Sequence, residues 1–309
     1  LNGALGNVSY ARGSTDIRIG SYTMTAAAAE AVRVANITVE TNASSTNFQN
    51  LKIKVGGTQF GRTEGTLSAS ETVTFSGASP LMVPKGGSIT VDVYADILSS
   101  ANTGSVATIS QLDSCTGSGD VSNASVSCSP TNVNGQTITI STGPTVTMSL
   151  DQSTASAGQL VMGSTANSLA SFRITDTGNI EDLKITDLVV SDLVATTSTV
   201  RASFQNITLW QGNTQVGGPL ALLESSAATN PVANTYRASF TFGTPIIIPQ
   251  NGTITLVVKG DVASFTSSGA TNNATHSLRI ASSTAGHVTI LGKSSNATTT
   301  VTLSSGSNA

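Results

Sequence analysis

Apolar side chains recur at every second position in short runs from one end of the chain to the other, and Gly, Asn, Pro or Ser closes each run. Leu51, Ile53 and Val55, then Val73 and Phe75, then Ile89, Val91 and Val93 set the pattern in the first half. Val146, Met148 and Leu150, then Phe240 and Phe242, then Ile254, Leu256 and Val258 continue it in the second. A period of two places alternate side chains on opposite faces, so each run predicts a strand with one face in a core. One rival signal is Ala26-Ala27-Ala28-Ala29, four good helix formers in a row. Thr23 and Thr25 before it and Val32, Val34, Ile37 and Val39 after it keep strand spacing, so at most one helical turn is expected. The chain reads as all-β.

Two of these runs are copies of two others. Phe48-Gln49-Asn50, the alternating Leu51, Ile53 and Val55, and the turn Gly56-Gly57 return as Phe204-Gln205-Asn206, Ile207 and Leu209, and Gly212-Asn213. An alternating strand running into such a turn and out again is a β-hairpin signature. Downstream, Pro80 to Val93, with the turn Pro84-Lys85-Gly86-Gly87 and then Asp96-Ile97, matches Pro245 to Val258 and Asp261-Val262. Two blocks repeated in the same order, apolar positions kept and polar ones drifting, mark a duplicated domain. The 309 residues therefore divide into domains 1–143 and 144–309, joined at the short Ser141-Thr142-Gly143-Pro144. Seven to nine short strands per copy, with turn residues between them, predict tandem immunoglobulin-like Greek-key β-sandwiches. Trp210 reads as a buried residue of one copy only, since Lys54 holds its place in the other.

Phe-Gln-Asn before a Gly turn, then Pro-x-x-Gly-x-Ile-Thr and a closing Asp-Val or Asp-Ile, resembles the tandem Ig-like repeats of large bacterial surface proteins. It is especially similar to cell-surface and S-layer-like proteins of candidate phyla radiation bacteria. The resemblance covers most of both copies and implies an exported scaffold or adhesive role. Its motifs mark turns and strand ends, and it brings no catalytic residues. The cysteine-containing stretch and the first ten residues lie outside it.

Composition narrows the function. Only 10% of residues are charged and the net charge is −3, so no field draws the chain to nucleic acid. Lys and Arg are scattered singly, and no window approaches 18 consecutive apolar residues, which argues against direct membrane insertion. Residues 1–25 lack a basic start followed by an apolar core, so a soluble or mature form is expected, with any signal or anchor removed or lying outside this sequence. A positive mean hydropathy of +0.12 and many β-branched residues argue against disorder.

Chemistry-bearing residues are few. Cys115 and Cys128 lie in a stretch of Ser, Gly, Asn and Asp. Free thiols are one reading; a disulfide is favoured because free Cys usually sits among apolar neighbours, whereas these two are expected in a polar loop. Such a bond would place the protein in an oxidising, extracellular setting. His276 and His287 are the two histidines, and with Ser so abundant neither makes a triad signal. They lack metal-ligand spacing, and surface histidines are expected. The acidic stretch Asp176, Glu181 and Asp182, with Asp187 and Asp192 beyond, is either an oxygen-rich Ca²⁺ loop or a solvated strand-end loop. Candidate N-glycosylation sites are Asn7, Asn36, Asn42, Asn123, Asn251, Asn273 and Asn296, with Asn206 an eighth sequon inside the hairpin strand. Chance placement in so Ser/Thr-rich a chain yields roughly six, so the count carries little weight.

The expectation is a non-enzymatic extracellular structural protein without cofactors, a subunit of a pilus-like filament or surface layer. Its partner would be itself, as a homopolymer held by edge or terminal strands. The candidate assembly strands are residues 1–10, with Leu5, Val8 and Tyr10, and residues 299–304. The alternative is an adhesin or carbohydrate-binding module with glycans as partners, which an exposed Trp210 beside Tyr236 would favour. An enzyme would require a pocket holding His276 or His287 with carboxylates.

Overall fold

The computed structural model describes residues 1–3, 5–106, 110–153, 155, 157–194, 203–224, 235–265, 270–280 and 287–304. The chain forms two compact units, Leu1–Thr142 with Ser294–Ala297, and Gly143–Lys293 with Thr298–Ala309. Ile109, expected to lead into the cysteine stretch, lies outside the described residues.

In the first unit the strands are β1 (Val8–Ala11), β2 (Ile17–Thr25), β3 (Val32–Thr41), β4 (Phe48–Val55), β5 (Thr58–Thr66) and β6 (Thr72–Val83). They continue as β7 (Ser88–Ile97), β8 (Gly104–Val106), β9 (Ser110–Gly119), β10 (Ser125–Ser127), β11 (Val133–Asn134) and β12 (Ile138–Ser141). One sheet runs β2-β7-β4-β5 and the other β10-β9-β3-β6, with β11 also on β9; β1-β12-β8 forms a third. The second unit holds β13 (Thr145–Leu150), β14 (Asn167–Asp176), β15 (Leu183–Val194), β16 (Phe204–Gln211), β17 (Thr214–Leu220) and β18 (Leu223–Glu224). After these come β19 (Thr235–Ile248), β20 (Thr253–Val262), β21 (His276–Arg279), β22 (Val288–Gly292) and β23 (Thr300–Leu303). Its sheets run β17-β16-β20-β14-β13-β23 and β18-β19-β15-β21, with β22 also on β15.

The two strand orders are one plan. β5-β4-β7-β2 corresponds to β17-β16-β20-β14, and β6-β3-β9 to β19-β15-β21. The first strand of each unit also pairs in parallel with its last, β1 with β12 and β13 with β23. This is an all-β, immunoglobulin-like Greek-key sandwich, twice. Each unit buries its own core. Ile37, Leu51, Ile53, Phe75 and Val93 are fully buried in the first, and Phe172, Ile185, Leu188, Leu209 and Val258 in the second.

A bulge explains a break in the alternation. Leu183 and Ile185 are buried at odd positions, Leu188 and Val190 at even ones, and all four belong to β15. The register shifts between Ile185 and Asp187, so the extra residue turns the core face over by one position. The first unit does the same in β3, where Val34 gives way to Ile37 and Val39 across a shift between Val34 and Asn36.

The alanine run forms no helix. Ala26 N donates to Gly87 O and Ala27 O accepts from Gly86 N, so its backbone is spent on the turn that follows β6. The helical turn instead spans Ala43–Asn47, where the Asn42 side chain accepts from Ser44 N. An Asn side chain that caps the first turn outweighs intrinsic propensity in so short a segment.

Tyr22 and Phe172 hold the same place, opposite Val91 and Leu256. The buried Tyr22 hydroxyl donates to Ser110 O at 2.7 Å, and burial pushes its pKa up to about 12. Two residues earlier, a Cβ on Gly20 would meet Ser110 Oγ at 2.5 Å and the Tyr22 hydroxyl at 3.2 Å. The second unit carries Ala170 there, beside a ring with no hydroxyl. Glycine and tyrosine thus go together, as do alanine and phenylalanine. Tyr22→Phe is expected to cost about 1 kcal/mol, because Ser110 O keeps a second donor in Gly135 N. Urea unfolding of the variant checks it, and a loss above twice that would mean the hydroxyl holds more than this one carbonyl.

Candidate functional site

The repeated Phe-Gln-Asn motif builds a brace. Asn50 and Asn206 adopt positive φ, 56° and 51°, a conformation asparagine tolerates better than most residues. Each sits in a register shift, between Gln49 and Lys52 or between Gln205 and Thr208. Freed from the ladder, the Asn50 amide donates to Asp96 Oδ2 at 2.7 Å, and that of Asn206 to Asp261 Oδ2 at 2.8 Å. The other carboxylate oxygen takes a backbone N–H from the loop before the paired strand, Asp16 N in one unit and Ala166 N in the other. Those two residues also have positive φ, 52° and 53°. The motif is therefore structural, tying a bulge and a loop to one carboxylate.

In the second unit this brace is acid-labile. The Asn206 amide, and after it the Ala166 N–H, holds the Asp261 carboxyl below the usual range. Lys54, with Lys52, does the same for Asp16, and the Gln250 N–H, with Lys293, for Asp182. A carboxyl whose folded pKa is depressed contributes stability above its unfolded pKa and loses it as pH falls through the folded value. The melting temperature is therefore expected to be level from neutral pH down to about 5 and to fall below about 4. Scanning calorimetry across that range checks the sign, which a rise on acidification would reverse.

Trp210 is half-buried, which corrects the expectation of a core residue. It faces outward because Leu209 takes the core-facing position of β16. Lys259 Nζ lies 4.4 Å from its ring centroid. At the matching place in the first unit Lys54 Nζ lies 4.2 Å from the Tyr94 ring, with cation and ring exchanged between the two strands. The pair has been kept while its members swapped sides. Tyr236 is buried in the core, so the exposed Trp210–Tyr236 platform that would favour sugar stacking is not formed.

The remaining expected sites fall as follows. Cys115 and Cys128 form a disulfide with a Cα–Cα distance of 5.1 Å. Cys115 is not in a loop: it is a buried residue of β9, opposite Ile37. The acidic stretch is spent on turns. Asp176, buried, accepts from Gly178 N and Asn179 N on one oxygen and from Asn251 N on the other. Asp182 accepts from Gln250 N and Lys293. Among the described residues no cluster of three or more His, Cys, Asp or Glu is arranged to hold a metal. Asn7, Asn123, Asn251, Asn273 and Asn296 are exposed. Asn42 caps the helical turn, and Asn36 bonds Thr116 Oγ1 and Ser76 Oγ across its sheet. Five of the eight sequon asparagines, Asn123, Asn206, Asn251, Asn273 and Asn296, have φ between 51° and 59°. Left-handed backbone, in turns or, for Asn206, in the bulge of β16, accounts for asparagine at those positions independently of any sugar. Leu5 is buried, and Val8 and Tyr10 lie in β1, in register with Ile138 and Ile140 of the same unit. Residues 300–303 pair likewise with β13. Both terminal strands are thus at home in their own units.

The second unit also contains a cleft of about 640 Å³ between the segment after β13 and the strand β21. His276 lines it, and it is not a surface histidine: its side chain is 10% exposed and Nδ1 lies 2.7 Å from Oδ2 of the fully buried Asp192. Pairing of β21 with β15 causes this. His276 stands opposite Val194, and Asp192, two residues earlier on the same face, is its diagonal neighbour. Phe204 packs on the imidazole, ring centroids 4.5 Å apart. Asp192 Oδ1, His276 Nε2 and Ser203 Oγ are buried without hydrogen-bond partners. Ser203 also lines the cleft, but no hydrogen bond joins it to His276, so the base–nucleophile contact of an activated serine is not made. His287 accepts Val189 N on its backbone oxygen, and its Nδ1 is likewise buried and unpartnered.

No known family profile matches the chain. No curated protein matches it either. Among solved structures it is similar to BspA_C_WT, at 9% identity and a TM-score of 0.29, over 97% of this chain and 96% of that one. It is also similar to a fucolectin from striped bass (Morone saxatilis) serum, at 10% and 0.18, over 80% and 85%. A third is the BSP domain of a biofilm associated protein, at 8% and 0.18, over 97% and 60%. TM-scores this low carry no argument, and the fold assignment rests on the strands themselves.

Proposed function

We propose that the chain is part of an extracellular structural protein, a subunit of a pilus-like filament or surface layer that assembles with copies of itself. The observation that carries this reading is the shared edge architecture: β1 on β12 and β23 on β13 are short parallel edge strands at the two ends of the chain. Because each already fills its place, strand complementation takes the form of exchange. One copy's terminal strand leaves its unit and the neighbour's replaces it, with equal backbone pairing before and after. The Cys115–Cys128 bond supports an oxidising, extracellular location, and no helix among the described residues is long and apolar enough to cross a membrane. Electron microscopy of the full chain and of a form lacking residues 1–10 tests the mechanism. Ordered polymers lost on truncation are expected, whereas monodisperse particles in both samples would overturn the scaffold reading.

A second reading, an adhesin or carbohydrate-binding module, is favoured by the cleft beside His276. Retention of the chain on a glycan array tests it.

A further inference from the structure

We infer that copies of this chain join head to tail, the end of the second unit that bears Val161 and Phe265 docking on the alanine turn of the next copy's first unit. The inference rests on the self-assembly reading and names a contact for it besides the terminal strands.

The duplication makes the turn before β2 equivalent to the turn before β14. Gly13 and Gly163 both have a φ of 80°. Ser14 N donates to Ala11 O and Ser164 N to Val161 O, while Ser14 O accepts from Ile97 N and Ser164 O from Val262 N. Their side chains differ. Ala11 is buried, whereas Val161 is 75% exposed. Past Ile97 and Val262, the matching exposed positions hold Ser100 in the first unit and Phe265, 76% exposed, in the second. Gly163 N also bonds Ala263 O, which brings the segments of Val161 and Phe265 side by side.

At the other end of the same strands the contrast reverses. Ala26 N donates to Gly87 O in the first unit and Asp176 N to Gly252 O in the second. The first turn continues as the exposed Ala27-Ala28-Ala29, the second as Thr177 to Asp182 with two acids. Glu30 holds Val121 N, and Asp120 N donates to Ala31 O, so Val121, 80% exposed, stands beside the alanines. The strands behind these turns keep an exposed apolar residue in both units, Met82 and Ile247, so the difference lies in the loops.

Connectivity decides which ends are left over. The chain leaves the first unit at Ser141, whose oxygen accepts Arg12 N, and enters the second at Thr145, whose oxygen accepts Thr177 N and Gly178 N. The two ends linked through residues 141–144 are therefore the polar ones, with Arg12, Asp16 and Ser100 on one and Thr177, Glu181 and Asp182 on the other. The apolar loops belong to the two remaining ends. Apolar groups on two different surfaces of one molecule fit a heterologous contact, which repeats without closing and yields a filament.

Phe265→Asp and Ala28→Asp each place a carboxylate at one of these exposed ends. Sedimentation velocity of the full chain at micromolar concentration compares the parent, each variant and an equimolar mixture of the two. The parent is expected to polymerise, and each variant to sediment as a single copy of 31.1 kDa. Burying an unpaired carboxylate weakens such a contact by about tenfold or more. The mixture is expected to form mixed dimers and nothing larger, because one intact pair of ends remains, and those dimers also show both variants to be folded. Polymerisation of either variant alone, or a mixture that stays monomeric, overturns the inference and leaves self-assembly to the terminal strands. A monodisperse parent removes both.

Discussion

Replacing His276 with alanine is expected to destabilise the second unit by about 3–5 kcal/mol, the cost of leaving a buried carboxylate without its partner. Asp192 is fully buried, its Oδ2 is met by His276 Nδ1 at 2.7 Å, and its Oδ1 has no partner. Removing the imidazole therefore leaves a charge in the core with nothing facing it, and also uncovers the Phe204 ring. The magnitude separates this from the loss of an exposed histidine, which would cost well under 1 kcal/mol. Trp210, the sole tryptophan, belongs to this unit, so its fluorescence during urea unfolding follows the affected core. Adding Asp192→Asn to His276→Ala removes the orphaned charge, and the double variant is expected to recover more than half of the loss. A single variant within 1 kcal/mol of the parent would mean that Asp192 is not held by His276.

Strand existence and the duplication follow from alternation and block order, because a period of two and a recurring Phe-Gln-Asn survive without any knowledge of partners. The bulges leave a trace as breaks in phase, at Val34 to Ile37 and at Ile185 to Leu188, but strand spacing alone reads straight across them. The same phase, carried on, runs Leu188, Val190, Asp192, Val194 and puts a carboxylate on the core face of β15. That was the available signal for a buried acid. What completes it, His276, lies 84 residues further on, and only the pairing of β21 with β15 brings the two together. The placement of Trp210 is likewise set by its neighbours. Hydrophobicity favours burial, yet Leu209 beside it took the inward position, and a neighbouring lysine covers the ring from outside. The terminal strands show a third limit. Strand propensity located β1 and β23, but whether a strand completes its own sheet or a neighbour's depends on register, which local sequence does not encode.

Replacing both Cys115 and Cys128 with alanine is expected to cost the first unit about 3 kcal/mol, the loop-closure term for a short cross-linked segment. The separation is 13 residues, and the bonded segment carries β10, a strand of three residues, back along β9. So short a hairpin does not persist on its own ladder bonds. Side-chain ties on this segment include Glu30 to Val121 N and Ser122 N, and Arg33 to Asp120. These groups are exposed or half-exposed, and water competes for each, so they do not replace the covalent restraint. Cys115 adds a second contribution, because its side chain is part of the core opposite Ile37 and alanine leaves space there. For a unit of this size each kcal/mol moves the melting temperature by about 2–4 °C, so a fall of about 6–12 °C is expected. Reduction of the parent protein should reproduce most of it, and hydrogen exchange should rise first in β10 and the turn before it. The second unit contains neither cysteine, so the Trp210 signal should unfold at the same midpoint in parent and variant. A first-unit midpoint unmoved by reduction would show that packing around Ile37 and Leu112, and not the cross-link, holds this end of the sheet.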